Sequence, residues 1–219
     1  MNTETFYQRE VSGRGQDRPI LKEKVALLVI DMQNDFVREG APVELPGIRN
    51  NIPRMRRLIE TCREIGVPII YTKAVVYPQG TNVIPFSLEA YPALRDRGLR
   101  QGTEGAEICE DLKPHTEDWV IEKMGYSAFY NTQLEGVLRN LKGRNSIDTV
   151  IICGTMTNAS CESTARDAFE RDYKVIFASD MTSARTDEFQ NMTLKNVRYL
   201  LGGRVMTSDE IINTLSVTR

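Results

Sequence analysis

The chain has 219 residues, of which 41% are hydrophobic, and this length and composition are typical of one compact domain with a substantial core. Its formal net charge of -2 at pH 7 gives no basic field that would attract nucleic acid or an acidic membrane surface. No apolar stretch approaches the length of a membrane-spanning helix, and residues 1–24 lack the hydrophobic core of a signal peptide. We therefore expect a soluble, cytoplasmic protein that binds neither nucleic acid nor membrane.

Short apolar, β-branched runs alternate along the chain with longer segments of helical pattern. The predicted strands are residues 25–30, 67–72, 119–122, 149–153, 174–178 and 204–206. The predicted helices between them are residues 52–65, 133–141, 162–171 and 187–201. Strands that alternate with helices are joined by crossover connections into a parallel sheet. The pattern predicts an α/β fold, a three-layer α/β/α Rossmann-like domain with a six-stranded, mainly parallel sheet.

Two regions lie outside this alternation. Residues 1–24 form a polar N-terminal arm that offers little to a core, and we expect it to pack late or on a neighbouring subunit. Residues 73–118 form a long segment with prolines at positions 78, 85, 92 and 114, and such segments within compact domains are usually functional or disordered. We expect residues 73–118 to cover the active site. No repeat or linker interrupts residues 25–219, which are predicted to form a single domain.

The cysteine and histidine content limits disulfides and metal binding. The four cysteines form no CxxC pair, and a chain of this length does not need disulfides, so we expect reduced thiols. His115 is the only histidine in the sequence, which is a poor provision for zinc. We expect neither a metal nor a cofactor.

Three motifs each follow a predicted strand: DMQNDF at residues 31–36, KMGYSAF at 123–129 and TNASCESTARDA at 157–168. In an open parallel sheet, ligands bind beyond the carboxyl ends of the strands, so Asp31, Lys123 and Ser160 are expected to meet at one edge. Taken singly, these residues also fit plain structural roles. Asp31 suits a turn or a helix cap, Lys123 suits a solvated surface, and Ser160 suits the N-cap of the next helix.

With these motifs in the same order and at similar spacing, the chain resembles the isochorismatase-like cysteine hydrolases from Val25 to about Asp209. This superfamily includes nicotinamidases, N-carbamoylsarcosine amidohydrolase, isochorismatase, and hydrolases of ureidoacrylate, biuret and triuret. The resemblance implies a catalytic triad at Asp31, Lys123 and Ser160. It also implies an oxyanion hole from the backbone amides of Met156 and Ser160, beside a cis peptide between Thr155 and Met156.

Ser160 departs from the family, which has a cysteine at this position. A thiol at a helix start beside a lysine is readily ionised, and a carboxylate can take its proton and later deliver it to the leaving amine. An alkoxide is far harder to form, so we expect little or no amidase turnover. Two origins are compatible with Ser160: a deliberate Cys-to-Ser replacement, which the intact Asp31 and Lys123 favour, or a natural variant. Cys161 is predicted to be a structural thiol, because a helix turns by about 100° per residue.

Three further residues are predicted to contact the substrate: Phe36 and Tyr126, at positions that line the pocket in ureido-hydrolysing relatives, and Asn82 in the covering segment. They favour a small, planar amide or ureido compound similar to biuret, triuret or ureidoacrylate, cleaved at a C–N bond through an acyl-thioester in the cysteine form. One alternative is vinyl ether hydrolysis of an isochorismate-type substrate with Asp31 as the acid. Another is a non-catalytic ligand-binding homologue. Family habit also implies a homo-oligomer, a dimer or a tetramer.

Overall fold

The computed structural model describes residues 19–82, 84–143 and 147–217. Within these ranges six strands form one sheet: β1 (Val25–Ile30), β2 (Ile69–Ala74), β3 (Trp119–Lys123), β4 (Thr149–Thr155), β5 (Lys174–Ser183) and β6 (Arg204–Met206). The strand order is β3-β2-β1-β4-β5-β6, and all neighbouring strands are parallel. The predicted six-stranded α/β fold is confirmed.

The described ranges contain eight α-helices: α1 (Asn34–Val37), α2 (Ile52–Glu64), α3 (Pro85–Ala90), α4 (Pro92–Asp96), α5 (Leu134–Asn140), α6 (Glu162–Phe169), α7 (Asp187–Leu200) and α8 (Ser208–Val217). The four predicted helices correspond to α2, α5, α6 and α7, with ends that differ by two residues or fewer. The other four were not predicted. No described helix is long and apolar enough to span a lipid bilayer.

The central strand β1 explains the three layers. All six of its residues are buried, because successive side chains of a strand point to opposite faces of the sheet. Val25, Leu27 and Val29 pack in one core with α2 and α8. The intervening apolar residues of β1 pack in a second core with α5, α6 and α7. A continuous apolar run is therefore what a strand covered on both faces requires.

β4 passes very close to β1 near the carboxyl edge of the sheet. Gly154 has a φ of +115°, and a Cβ atom at this position would lie 2.1 Å from the carbonyl oxygen of Ile30. Only glycine combines this backbone conformation with this approach. The pairing between β4 and β5 is irregular between Ile152 and Gly154, after which β5 continues to Ser183. The ends of β1 and β4 are thus brought together where two of the three motifs begin.

The two regions outside the strand–helix alternation differ in how much of them is described. Residues 1–18 of the predicted arm lie outside the described residues. The first two residues of the predicted covering segment belong to β2, and the rest contains α3, α4 and two 3₁₀ turns. We call residues 99–109 the strap. The strap lies against the chain that follows β1, where Asn34 N donates to Glu107 O and Cys109 N donates to Met32 O, both at 2.9 Å. It is therefore anchored beside Asp31.

Candidate active site

Asp31 directly follows β1 and is 1% exposed. Its φ of +47° lies in the left-handed region, where a non-glycine residue is uncommon. Its N–H is directed at Thr72 in β2, 3.2 Å from both the carbonyl oxygen and Oγ1. Thr72 Oγ1 in turn donates to Asp31 Oδ1 at 2.7 Å. One threonine therefore contacts both the backbone and the carboxylate of Asp31.

Lys123, the last residue of β3, joins the three motifs. It is 4% exposed, and its Nζ lies 2.7 Å from Asp31 Oδ2 in an ion pair whose two side chains are each 1% exposed. The same Nζ donates to Gly125 O at 2.9 Å and to Ser160 Oγ at 3.2 Å. Two of these contacts are hydrogen bonds, to Gly125 O and Ser160 Oγ, and the third is the ion pair with Asp31. The buried charge of Lys123 is thereby paired and hydrogen-bonded.

Ser160 lies in a single π-helical turn, Thr157–Cys161, between β4 and α6, and is 7% exposed. In this turn, Met156 O accepts hydrogen bonds from Ala159 N and Cys161 N, both at 3.1 Å. The Thr155–Met156 peptide is cis, as the resemblance implied. Ser160 is therefore not the helix N-cap residue, and its hydroxyl is directed at Lys123.

Cys161 points away from this site. It is fully buried among the residues of the second core. Burial, with the nearby Asp31 carboxylate, raises the pKa of its thiol well above the usual value, which makes it a poor nucleophile. All four cysteines are buried and unpaired. Cys161 is thus placed as a structural thiol, in agreement with the prediction.

Asp31, Lys123 and Ser160 form one contact chain across the ends of β1, β3 and β4. Asp31 Oδ1 is engaged by Thr72, whereas Oδ2 contacts Lys123 but accepts no hydrogen bond of ordinary geometry within the described part of the chain. A hydroxyl, an ammonium group and a carboxylate are therefore adjacent. No cluster of three or more potential metal ligands occurs among the described residues.

The three predicted substrate contacts have different surroundings. Tyr126 is 48% exposed, and partial burial together with a hydrogen bond with Tyr91 raises the pKa of its phenol to about 12. Phe36 is partly buried and packs on the small apolar cluster of Val76 and Leu99. The amide of Asn82 accepts from Tyr77 N at 2.8 Å and donates to Val75 O at 2.6 Å. Each of these bonds uses one hydrogen or one lone pair of the amide, so a ligand contact by Asn82 would have to use the hydrogen or lone pair that remains.

Residues 33–35 have a role that sequence reasoning missed. Gln33 is fully buried; its Nε2 donates to Ala74 O and Ala106 O, each at 2.8 Å, and its Oε1 accepts from Ala74 N at 2.9 Å. Asn34 Nδ2 donates to Glu104 O at 2.7 Å, and Asp35 Oδ2 accepts from Leu99 N at 2.6 Å. Residues 33–35 of the first motif therefore anchor the strap and the end of β2 and are not part of the contact chain of Asp31, Lys123 and Ser160.

Thr72 was also missed. The available signal was a polar residue at the end of a buried apolar run, Ile69-Ile70-Tyr71-Thr72. Its contact with Asp31 depends on the register of β1 and β2, in which Val29 pairs with Tyr71. The next residues in that register are Ile30 and Thr72, so Thr72 lies beside the peptide bond that leads into Asp31 and its hydroxyl reaches the carboxylate.

The chain is similar to known sequences over most of its length. A family model described as the isochorismatase domain matches residues 25–210. A protein of Arabidopsis thaliana named "probable inactive nicotinamidase" is 32% identical over 175 residues, covering 79% of this chain and 87% of that protein. A ureidoacrylate amidohydrolase of Rhizobium rhizogenes is 30% identical over 212 residues, covering 88% of this chain and 84% of that protein.

Solved structures show the same architecture. A cysteine hydrolase from Pseudomonas syringae pv. phaseolicola superposes with a TM-score of 0.85 at 29% identity, covering 92% of this chain and 97% of that chain. N-carbamoylsarcosine amidase from Thermoplasma acidophilum gives a TM-score of 0.72 at 31% identity, covering 85% and 97%. Since the family model extends over most of the sequence, the chain belongs to the isochorismatase domain family.

Proposed function

We propose that this protein has the active site of an amidohydrolase that cleaves a C–N bond of a small carbamoyl or ureido compound. The observation that carries the proposal is the position of Lys123 Nζ, 2.7 Å from Asp31 Oδ2 and 3.2 Å from Ser160 Oγ. The two relatives that are named as a ureidoacrylate amidohydrolase and an N-carbamoylsarcosine amidase support the same reaction class.

The reaction needs a nucleophile at position 160, and its steps follow from the neighbouring groups in the Ser160→Cys form. Asp31 Oδ2 takes the thiol proton, and the sulfur attacks the amide carbon. The amides of Met156 and Ser160 are the proposed donors to the oxyanion. Asp31 returns the proton to the nitrogen as the C–N bond breaks, which releases ammonia or an amine and leaves an acyl-thioester. Water, deprotonated by Asp31, then hydrolyses the thioester.

Ser160 changes the first of these steps. A serine hydroxyl holds its proton far more tightly than a thiol, and the buried Asp31 and Lys123 are the titratable groups beside it. Lys123 donates to Ser160 Oγ, which stabilises a negative oxygen but does not remove its proton. The protein with Ser160 is therefore proposed to bind substrate and to turn it over very slowly.

The rim of the site favours a neutral ligand over a dicarboxylate. The phenol of Tyr126, one of the predicted substrate contacts, is neutral at physiological pH as tyrosines ordinarily are, so it offers a hydrogen bond rather than a charge. Lys123, the cation nearest to Ser160, is already paired with Asp31. A ureido or amide group needs neutral donors and acceptors, whereas an isochorismate-type ligand has two carboxylates to neutralise. We therefore prefer amide hydrolysis to vinyl ether hydrolysis as the proposed reaction.

A second candidate is a non-catalytic ligand-binding protein, which Ser160 itself favours. It retains the buried ion pair of Asp31 and Lys123 but lacks the readily ionised nucleophile. Similarity to a protein named as an inactive nicotinamidase is compatible with this candidate. The two functions differ in one respect: a single Ser160→Cys replacement restores turnover only to an amidohydrolase.

The test compares ammonia release by the protein and its Ser160→Cys variant across biuret, triuret, ureidoacrylate, N-carbamoyl amino acids, nicotinamide and maleamate. Asp31→Asn in the Ser160→Cys background is the control for catalysis by the triad. Turnover that appears with cysteine and is lost in Asp31→Asn, at a temperature where circular dichroism shows this variant to be folded, supports the amidohydrolase. If every substrate is inert in both forms while ligands still raise the melting temperature, the amidohydrolase proposal fails and the binding protein is favoured.

A further inference from the structure

Thr72 is a buried residue to which the proposed mechanism assigns no part. It is fully buried within β2 and contacts both the backbone and the side chain of Asp31. Its Oγ1 donates to Asp31 Oδ1 at 2.7 Å and lies 3.2 Å from Asp31 N. A threonine hydroxyl has one proton to donate, and here that proton is committed to a single carboxylate oxygen.

The two oxygens of the Asp31 carboxylate have different contacts. Oδ1 faces Thr72, and Oδ2 faces Lys123, whose Nζ also contacts Ser160 Oγ. Oδ2 is buried and accepts no hydrogen bond of ordinary geometry from the described residues, so its contact with Lys123 is an ion pair. The oxygen on the side of Ser160 is thus the one with spare capacity to accept a proton. Without a partner for one oxygen, the carboxylate could rotate about the Cβ–Cγ bond, and its plane would no longer be fixed relative to Lys123.

The backbone of Asp31 makes this restraint more important. Asp31 has a φ of +47° directly after a strand, so its side chain leaves β1 in a direction that the strand itself does not fix. Thr72 also receives the N–H of Asp31 through its carbonyl oxygen and Oγ1. Backbone and carboxylate are therefore fixed by the same residue on the neighbouring strand.

We propose that Thr72 is a positioning residue that fixes the plane of the Asp31 carboxylate, so that the oxygen not bound by Thr72 is the proton acceptor for the nucleophile at position 160. This inference rests on the proposed function. The hydrogen bonds of the Thr72 side chain shown above are both with Asp31, so Thr72 is proposed to act through Asp31.

The test uses Thr72→Val, which keeps the side-chain shape, and Thr72→Ser, which keeps the hydroxyl, both in the Ser160→Cys background. Loss of one hydrogen bond to a charged group predicts that Thr72→Val lowers kcat by about 10- to 100-fold, with KM changed by less than about twofold. Thr72→Ser should retain most of the activity. Thr193→Val is the matched control, because buried Thr193 donates at 2.6 Å to another carboxylate, Glu162 Oε2.

A second readout does not depend on turnover. The thiol introduced by Ser160→Cys can be titrated by its rate of alkylation with iodoacetamide as a function of pH. In Thr72→Val the carboxylate of Asp31 loses a neutralising donor, and a less neutralised negative charge beside a thiol disfavours the thiolate. The alkylation midpoint is expected to rise by about half a pH unit or more, while Thr72→Ser and Thr193→Val leave it in place.

These readouts separate the two proposals. If Ser160→Cys is inert on every amide, the proposed function fails, and the Thr72 inference is then decided by the alkylation midpoint alone. A folded Thr72→Val variant with unchanged kcat and unchanged midpoint overturns the inference. Should Thr72→Val fail to fold, Thr72→Ala takes its place, with the same outcomes for and against.

Discussion

The ion pair of Asp31 and Lys123 is predicted to be a strong determinant of stability as well as the centre of the site. Its atoms Oδ2 and Nζ are 2.7 Å apart, and both side chains are 1% exposed. At an effective dielectric constant of about 20, charges at this distance attract by about 6 kcal/mol, which offsets the cost of taking both from water. Removing one partner leaves the other charge buried and unpaired. Lys123→Met and Asp31→Asn are each expected to lower the free energy of unfolding by about 3–5 kcal/mol.

The double variant Asp31→Asn/Lys123→Met contains no buried charge at this site. It should therefore be more stable than the sum of the two single losses implies, with a coupling energy of at least about 2 kcal/mol. For a chain of this length, each single variant should melt about 6–20 °C lower than the parent. Urea unfolding of all four proteins at pH 7 gives the free energies of the cycle.

The surface pair Arg57 and Asp209 provides the control, since these side chains are 60% and 68% exposed. Arg57→Met and Asp209→Asn should each cost only about 0–1 kcal/mol and show little coupling. If Lys123→Met costs less than about 1 kcal/mol and the double variant is additive, the Asp31–Lys123 pair is not a buried ion pair and the electrostatic reasoning for the site is wrong.

Three other predictions concern the strap, the acid limit of stability and the thiols. Gln33→Leu removes three hydrogen bonds to Ala74 and Ala106, so amide hydrogen exchange in residues 99–109 should accelerate by at least about tenfold; unchanged exchange there would contradict the anchoring role. The pKa of Glu162 is lowered, although burial opposes this, because it accepts hydrogen bonds from Thr193, Arg166 and Asn196. A carboxylate whose pKa is lowered by folding stabilises the protein above its unfolded pKa, and this contribution is lost as pH falls through the folded pKa. The free energy of unfolding of Glu162→Gln should therefore depend less on pH between about pH 5 and 2 than that of the parent. Equal dependence in unfolding titrations would refute this. Burial raises the pKa of Cys62 to about 12 and of Cys109 to about 11, and Cys153 and Cys161 are fully buried, so Ellman's reagent at pH 8 should find no reactive thiol before unfolding and one in Ser160→Cys.

The sequence was most informative where one physical requirement dominates. Every residue of β1 is apolar because both faces of the strand are covered, and the predicted bounds 25–30 are those observed. β5 was predicted to end at residue 178 but continues to Ser183. Its last residues, DMTS, are mostly polar, and hydropathy cannot show that their backbone still pairs with the end of β4. The missing information is tertiary pairing rather than local preference.

Helix α8 was missed although a local signal for it existed. Thr207 N donates to Glu210 Oε2 at 2.7 Å, and Glu210 N donates to Thr207 Oγ1 at 3.4 Å. This is a reciprocal capping box, which a Thr-x-x-Glu sequence before an apolar run can reveal. By contrast, α3 and α4 are six and five residues long and contain no buried residue, so no apolar periodicity could have predicted them.

The same difference between local signals and tertiary contacts applies to the site. Asp31, Lys123 and Ser160 could be placed at one edge because the carboxyl ends of parallel strands coincide. Thr72 and Gln33 could not be placed, since their roles depend on which backbone groups lie opposite them. Strand register and the path of the strap decide those contacts, and neither is encoded in a short motif. Sequence therefore predicted which groups meet, but not which groups orient them.

The orienting contacts also bear on why a serine at position 160 leaves the site intact. Asp31 is held by Thr72, and Lys123 is held by Gly125 O and by Asp31, so only one of Lys123's three contacts involves Ser160. The positions of the Asp31 and Lys123 side chains therefore do not depend on a thiol at position 160. A Ser160→Cys replacement changes one atom in a site whose other members are already fixed, so it alters the ease of ionising the nucleophile and little else. For this reason, recovery or absence of turnover in that variant reports on chemistry rather than on refolding of the site.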